Sequence, residues 1–251
     1  MLETLSLLVH ADAKVGKTTL AATAPAPILA LDAEGGWKFL PMKTKPWDPM
    51  QGPPPEPDGT WDACIVVVRE WQTIQLVWQW LQSGQHHFRS LVVDSISEVQ
   101  RRLKHNLKGE EPLKIQDWGV LLAKMDATIR GFRDLTLHPT NPMQVVVFVA
   151  ETRQTDGKWK PYMQGQISVA LPYWMDVVGY LYVQDVIDVN GQPTGKMRRL
   201  LVSPHPEFEA GERVQGRLPE VVDNPNVTSM LLSVYPHLLD QGQPEQELQP
   251  H

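Results

Sequence analysis

The sequence predicts an α/β fold: a twisted, mostly parallel sheet flanked by helices and followed by β-hairpins. Three observations predict it. Five short apolar runs, Leu5 to Val9, Ile28 to Leu31, Cys64 to Val68, Leu91 to Val93 and Val145 to Val149, show no polar alternation, and several are β-branched. Strands buried on both faces of a parallel sheet read this way. Helical periodicity between most of these runs supplies the crossovers that parallel strands need. After residue 150 the pattern changes to VVGYLYVQDVIDV and KMRRLLVS on either side of Asn190-Gly191, a dipeptide that favours a tight hairpin turn.

Composition narrows the class of protein. The chain has 251 residues, 42% of them hydrophobic, which is ample for a core. No apolar run approaches the roughly 18 residues of a transmembrane helix, and the start MLETLSLLVH lacks the basic residues and cleavage site of a signal peptide. The single cysteine, Cys64, excludes an intrachain disulfide and lies in an apolar strand, as a small core residue would. A net charge of -6 argues against a surface that grips nucleic acid all over, and leaves room for a local basic groove. The eight histidines show no metal-ligand spacing. Of the nine tryptophans, Trp71, Trp78 and Trp80 fall in a helical stretch and read as packing residues, whereas Trp37, Trp47 and Trp159 fall in loop-like sequence.

The first strand feeds ADAKVGKTTL, and a helix is predicted over Lys17 to Ala24. A strand, a short loop ending in Gly-Lys-Thr and a helix form the layout of a phosphate-binding P-loop. Its residues are Ala11, Asp12, Ala13, Lys14, Val15, Gly16, Lys17, Thr18 and Thr19. In that layout backbone N–H groups face the phosphates of ATP. Lys17 reaches the β- and γ-phosphates, and the Thr18 hydroxyl ligates Mg²⁺. Ala11 stands where the motif's first glycine is usual; it is small enough for the purpose if its φ stays negative.

The second strand ends in Asp32-Ala33-Glu34, so Glu34 would face the γ-phosphate edge of the site, where a base is needed to orient water. Residues 41–62 hold seven prolines and two glycines and read as an irregular insertion. Helices are predicted over Glu70 to Ser83, Ser95 to Leu107 and Gln116 to Leu137; in the last, Leu121, Leu122, Met125, Ile129, Phe132 and Leu135 recur at core spacing. The run LVVDSISEV places Asp94 at a strand tip. Asp94 has two readings, a cap for the helix that begins at Ser95 or a ligand for Mg²⁺. The P-loop upstream favours the metal role.

These segments resemble the RecA-type ATPases, in which a similar Asp-Ala-Glu carries the catalytic glutamate and a similar Val-Val-Asp-Ser the Mg²⁺ aspartate. The resemblance implies a RecA-like P-loop NTPase core, with Glu34 as catalytic base beside Lys17 and with Asp94 on the metal. FVAETR at 148–153 resembles the RecA strand that ends in a γ-phosphate-sensing glutamine, and puts Glu151 in that place. A carboxylate there needs a cation or a proton. Gly16 to Thr19, Asp32 to Gly36, Asp94-Ser95, and Gly165 with LPYWMD at 171–176 are together similar to a narrower group, short phage-encoded RecA-like ATPases that act as single-strand annealing recombinases. That likeness spans about residues 4 to 235.

It implies an ATPase domain over 1–239, within which composition gives the insertion at 41–62 and a hairpin region at 150–205, and the polar, proline-bearing end DQGQPEQELQPH reads as a disordered tail at 240–251. The likeness also implies single-stranded DNA as partner, a single-strand-binding protein as a second, a homo-oligomer, and the cytoplasm of a bacterial host cell without a membrane. RQTDGKWKPYMQGQ interleaves Arg153, Lys158 and Lys160 with Trp159 and Tyr162. Cations for phosphates and aromatic faces for bases suit single-strand binding, and an ordinary hairpin with a packing Trp fits the same residues. The stretch Lys108 to Trp118 carries Glu110, Glu111 and Asp117 and is the weaker candidate. Two other functions remain open: a nucleotide or small-molecule kinase, and a non-hydrolysing ATP-dependent assembly factor.

Overall fold

A computed structural model describes residues 3–189 and 191–239. Asn190 of the expected turn and the tail at 240–251 lie outside them. The parallel core comprises β1 (Leu5–Ala11), β2 (Ile28–Asp32), β3 (Thr44–Pro46), β4 (Ala63–Val67), β5 (Ser90–Asp94), β6 (Val145–Thr155) and β8 (Val177–Ile187). Helices α1 (Lys17–Ala21), α2 (Trp71–Gln82), α3 (Ile96–Lys108), α4 (Ile115–Asp134), α5 (Ile167–Trp174) and α6 (Val227–Val234) cover it. The remaining strands are β7 (Lys158–Pro161), β9 (Pro193–Leu201), β10 (Gly211–Glu212) and β11 (Val221–Asp223). All of these pair antiparallel, β7 with β6, β9 and β10 with β8, and β11 with β9. The fold is thus a large, mostly parallel α/β sheet with antiparallel hairpins toward the C-terminus, as the sequence predicts.

The sheet runs β11-β9-β8-β1-β6-β5-β2-β4-β3. Successive side chains on a strand point to opposite faces, so each apolar run fills two cores at once. Leu8, Leu29, Leu31, Leu91 and Phe148 pack with α2 to α5, among them Ile74, Leu103, Met125 and Phe132. Leu7, Val9, Ile28, Val92 and Val147 pack on the other face with Leu20 of α1 and with Met230 and Leu231 of α6. Such double burial is why these strands lack alternation in the sequence.

Helices α5 and α6 are not foreseen in the sequence, α5 falling inside the stretch 150–205 read as hairpins, and two earlier segments also differ from expectation. Helix α1 stops at Ala21 instead of Ala24, where the Thr23 hydroxyl turns back to Leu20 O (2.7 Å) and Pro25 follows. Proline disfavours the helical conformation in the residue before it and cannot donate within a helix. The segment 41–62 is not wholly irregular, since it supplies β3 at the sheet edge, where Pro46 is tolerated. Trp47 and Trp61 fold into the core beside Phe88.

Register decides what the sheet presents at its carboxyl edge. Ala11 pairs with Glu151, Asp94 with Val149, and Asp32 with Asp94. The loop after β1, the acidic ends of β2 and β5, and Glu151 of β6 therefore lie side by side, on the edge where open α/β sheets bind ligands.

Candidate nucleotide-binding site

Ala11 is the last residue of β1, is buried, and is not among the residues with positive φ. The left-handed positions in the loop fall on Lys14 (φ 63°) and Gly16 (φ 108°). The missing first glycine therefore carries no backbone strain, because the turn is made further along. The positive φ is what calls for glycine at Gly16; a Cβ there would also lie 2.6 Å from Arg198 Nε, a contact that the long side chain could relieve by shifting. Arg198 donates from Nε to Val15 O (3.1 Å) and so fastens β9 to the loop. The sequence shows Arg198 only as half of a basic pair in a strand; the contact spans 183 positions.

Lys17 opens α1 and its Nζ donates to Ala11 O (3.0 Å) and Asp12 O (2.9 Å). Burial lowers its pKa, against the raising pull of Glu34, Asp94, Glu151 and Asp12. One ammonium thus faces several carboxylates. Asp32 caps the turn after β2, accepting from the N–H groups of Gly35 (2.7 Å), Gly36 (3.2 Å) and Trp37 (3.3 Å). This cap exposes Glu34 and brings Gly36 to Thr18, where a Cβ would lie 3.3 Å from Thr18 Oγ1. The Ser95 hydroxyl donates to Glu34 Oε1.

Asp94 is buried, and its pKa is pushed up to about 6, chiefly by burial and further by Glu34 and Asp32; hydrogen bonds from the Thr18 hydroxyl and from Trp37 Nε1 oppose the rise. The indole bond is 3.2 Å, and Trp37 itself is fully buried. Trp37 is thus a residue that positions Asp94, its signal being a Trp one turn beyond the Asp32 cap. A hydroxyl hydrogen-bonded to a buried carboxylate among further carboxylates fits a small hard cation, because oxygen donors suit Mg²⁺ and a positive charge relieves the crowding. Among the described residues no group of three or more His, Cys, Asp or Glu forms a dedicated cage. Mg²⁺ needs only one or two carboxylates when phosphates complete its shell.

The AAA domain family matches residues 3–214, most of the chain. The chain belongs to that family. A search of the curated proteins finds no match. An AAA domain is a nucleotide-binding ATPase domain of the P-loop class, usually working with Mg²⁺. In this AAA domain no described helix is long and apolar enough to cross a membrane.

The cation that Glu151 requires comes from α3. Arg101 donates to both carboxylate oxygens of Glu151 at 2.6 Å and to Glu98 at 3.0 Å. That hydrogen-bonded guanidinium lowers the Glu151 pKa, with Lys17 and Arg153 adding to the effect. Ser97 completes the junction by accepting from Glu151 N–H (3.1 Å) and donating to Tyr162 O (2.7 Å).

The suspected DNA-binding stretch of the AAA domain is the β6–β7 hairpin. Arg153 lies 4.0 Å over the Tyr162 ring, Lys158 pairs with Glu209 (3.3 Å), and Lys160 and Trp159 are half-buried. Trp159 bonds through its backbone to Glu207 and Glu209. Below the hairpin, buried His10 meets Thr152 Oγ1 (3.0 Å) and Glu209 O (2.7 Å), and burial holds its pKa down at about 4. On α3, Arg101 is paired as above and Arg102 pairs with Glu98 (3.0 Å). In the weaker stretch, Lys108 pairs with Asp117 (3.6 Å). In the LPYWMD segment, Asp176 accepts from the Ser6 N–H and hydroxyl at the far end of β1, which is a structural task. Cys64 is buried with its thiol pushed up to about 12, unsuited to nucleophilic work.

Proposed function

We propose that the chain binds and hydrolyses Mg-ATP as a RecA-like protein and acts on single-stranded DNA in phage recombination or annealing. One observation carries the ATPase half. Lys17, Thr18, Glu34 and Asp94, from three separate segments, converge at one sheet edge behind a loop with the P-loop sequence.

In this reading the loop N–H groups and Lys17 bind the triphosphate, with the ammonium on the β- and γ-phosphates. Thr18 and Asp94 would hold Mg²⁺, which would supply neutralisation of the phosphate charge. Glu34, held by the Ser95 hydroxyl, orients a water and takes its proton as the water oxygen bonds to the γ-phosphorus. The bond from that phosphorus to the β–γ bridging oxygen breaks, leaving ADP and inorganic phosphate. Trp37 keeps the Asp94 carboxylate in place.

The DNA half draws on the resemblance and on the hairpin, where Arg153, Lys158 and Lys160 lie close to Trp159 and Tyr162. Cations beside aromatic faces suit a strand bound with little sequence preference. A homo-oligomer and a single-strand-binding protein partner belong to the same reading. ATP turnover measured with and without single-stranded DNA tests it, and DNA-stimulated hydrolysis is the expected result. Turnover indifferent to DNA, with phosphate passed to an added acceptor, would make the protein a kinase. Tight ATP binding without turnover would make it an assembly factor.

A further inference from the structure

Glu151 sits where added negative charge is least welcome. Its Cα is in register with Ala11 at the root of the P-loop, and its charge acts on the Lys17 ammonium together with those of Glu34 and Asp94. Two of these three carboxylates have work in the proposed reaction, one as base and one on the metal. Glu151 has none, yet a γ-phosphate arriving at Lys17 would approach it.

We propose that Arg101 is a positioning residue for the triphosphate: by engaging both oxygens of Glu151, it turns that carboxylate away from the loop and cancels its charge. The site then accepts ATP and not only ADP. The inference rests on the ATP-site reading above. The geometry is specific, with two N–H donors on two oxygens at 2.6 Å each and the same guanidinium held from behind by Glu98. Arginine's rigid fork gives this match and a lysine would not. Both side chains keep contact with solvent, at 44% and 37% exposure, so the effect is moderated by screening. It bears on the third phosphate far more than on the first two.

The test is a double-mutant cycle on the full chain, with ATP and ADP affinities measured by calorimetry in the presence of Mg²⁺. Arg101→Ala is expected to weaken ATP about tenfold and ADP less than about threefold, because it leaves Glu151 uncompensated. Glu151→Gln is expected to tighten ATP, since it removes the repelling charge and frees the guanidinium. Arg101→Ala with Glu151→Gln should regain affinity to within about threefold of wild type, and Arg101→Lys should fall in between.

A double variant as weak as Arg101→Ala overturns the proposal, and so does an equal loss for ATP and ADP. If thermal melting shows that Arg101→Ala does not fold, Glu151→Gln decides alone, and unchanged or weaker ATP binding overturns the proposal. Lys17→Ala separates the two levels. If it abolishes binding of both nucleotides while the cycle fails, the ATP site stands and only the role of Arg101 falls. A wild-type chain that binds neither nucleotide removes both.

Discussion

Asp94 is the residue whose environment most clearly sets function against stability. Its carboxyl titrates near 6 in the fold against an ordinary value of 3.8, mainly because burial disfavours the charge. A pKa raised by folding favours the folded state fully below 3.8, and that stability is lost as the pH climbs through 6. At pH 8 the ionised carboxylate therefore costs the fold about 3 kcal/mol. Asparagine is neutral throughout and keeps an oxygen that accepts from Trp37 Nε1. Asp94→Asn is thus expected to stabilise the protein at pH 8, to raise the melting temperature there by roughly 6 to 12 °C, and to have little effect near pH 4. His10 also titrates in this range, held down at about 4, but it is common to both proteins and cancels in the difference.

The assay is thermal denaturation followed by circular dichroism between pH 4 and 8, without nucleotide or Mg²⁺. A second series with Mg-ATP adds the functional half: wild type should gain stability by linkage, and Asp94→Asn should gain much less. No stabilisation at pH 8, or the same stabilisation at both ends of the pH range, would refute the argument that a buried charge is being removed. A variant that gains as much from Mg-ATP as wild type would remove Asp94 from the metal site.

Three further substitutions probe the rest of the site. Lys17→Ala should abolish tight ATP binding in a folded protein, since it removes the point charge on the β- and γ-phosphates; retained affinity by calorimetry would end the P-loop assignment. Glu34→Gln should bind Mg-ATP normally and turn it over at least about a hundredfold more slowly, and near wild-type steady-state turnover would move the base elsewhere. Trp159→Ala should cost about 1 to 3 kcal/mol of single-strand binding in a fluorescence titration, and Lys158 and Lys160 both changed to Ala should flatten its salt dependence by roughly 0.7 per lost phosphate contact. Intact DNA binding in both, with a lower melting temperature for Trp159→Ala, would make Trp159 a packing residue and send the search to another surface.

Much of this was legible because it is local. Strands β1, β2, β4, β5 and the start of β6 declare themselves through continuous apolar runs, and the P-loop, Asp32 to Glu34 and Asp94 sit within or just beyond their ends. What stayed hidden depends on partners far along the chain. Arg101 meets Glu151 across 50 positions, Trp37 meets Asp94 across 57, and Arg198 meets Val15 across 183. Periodicity gives the face a residue occupies but not which strand becomes its neighbour. The insertion of β6 between β1 and β5 is a fact of topology, and it is what sets Glu151 beside the P-loop. Ala11 shows the reverse case: it departs from the usual motif in sequence, but the positive φ lies at Lys14 and Gly16.

The arrangement of charge ties these pieces into one argument. Asp32, Glu34, Asp94 and Glu151 end up at one sheet edge because β2 and β5 finish there, the turn after β2 follows, and β6 leaves its parallel pairing with β1 at Glu151. Each is quieted differently: Asp32 by three backbone N–H groups, Glu34 by a serine hydroxyl and by solvent, Glu151 by a guanidinium, and Asp94 by one hydroxyl and one indole that do not offset its burial. The carboxylate left most in need of a positive charge is therefore the one hydrogen-bonded to Thr18, at the start of the helix that follows the loop. In the proposed reading that is where Mg²⁺ belongs. The unfavourable burial of Asp94 then acts as preorganisation, with desolvation already complete before the nucleotide arrives.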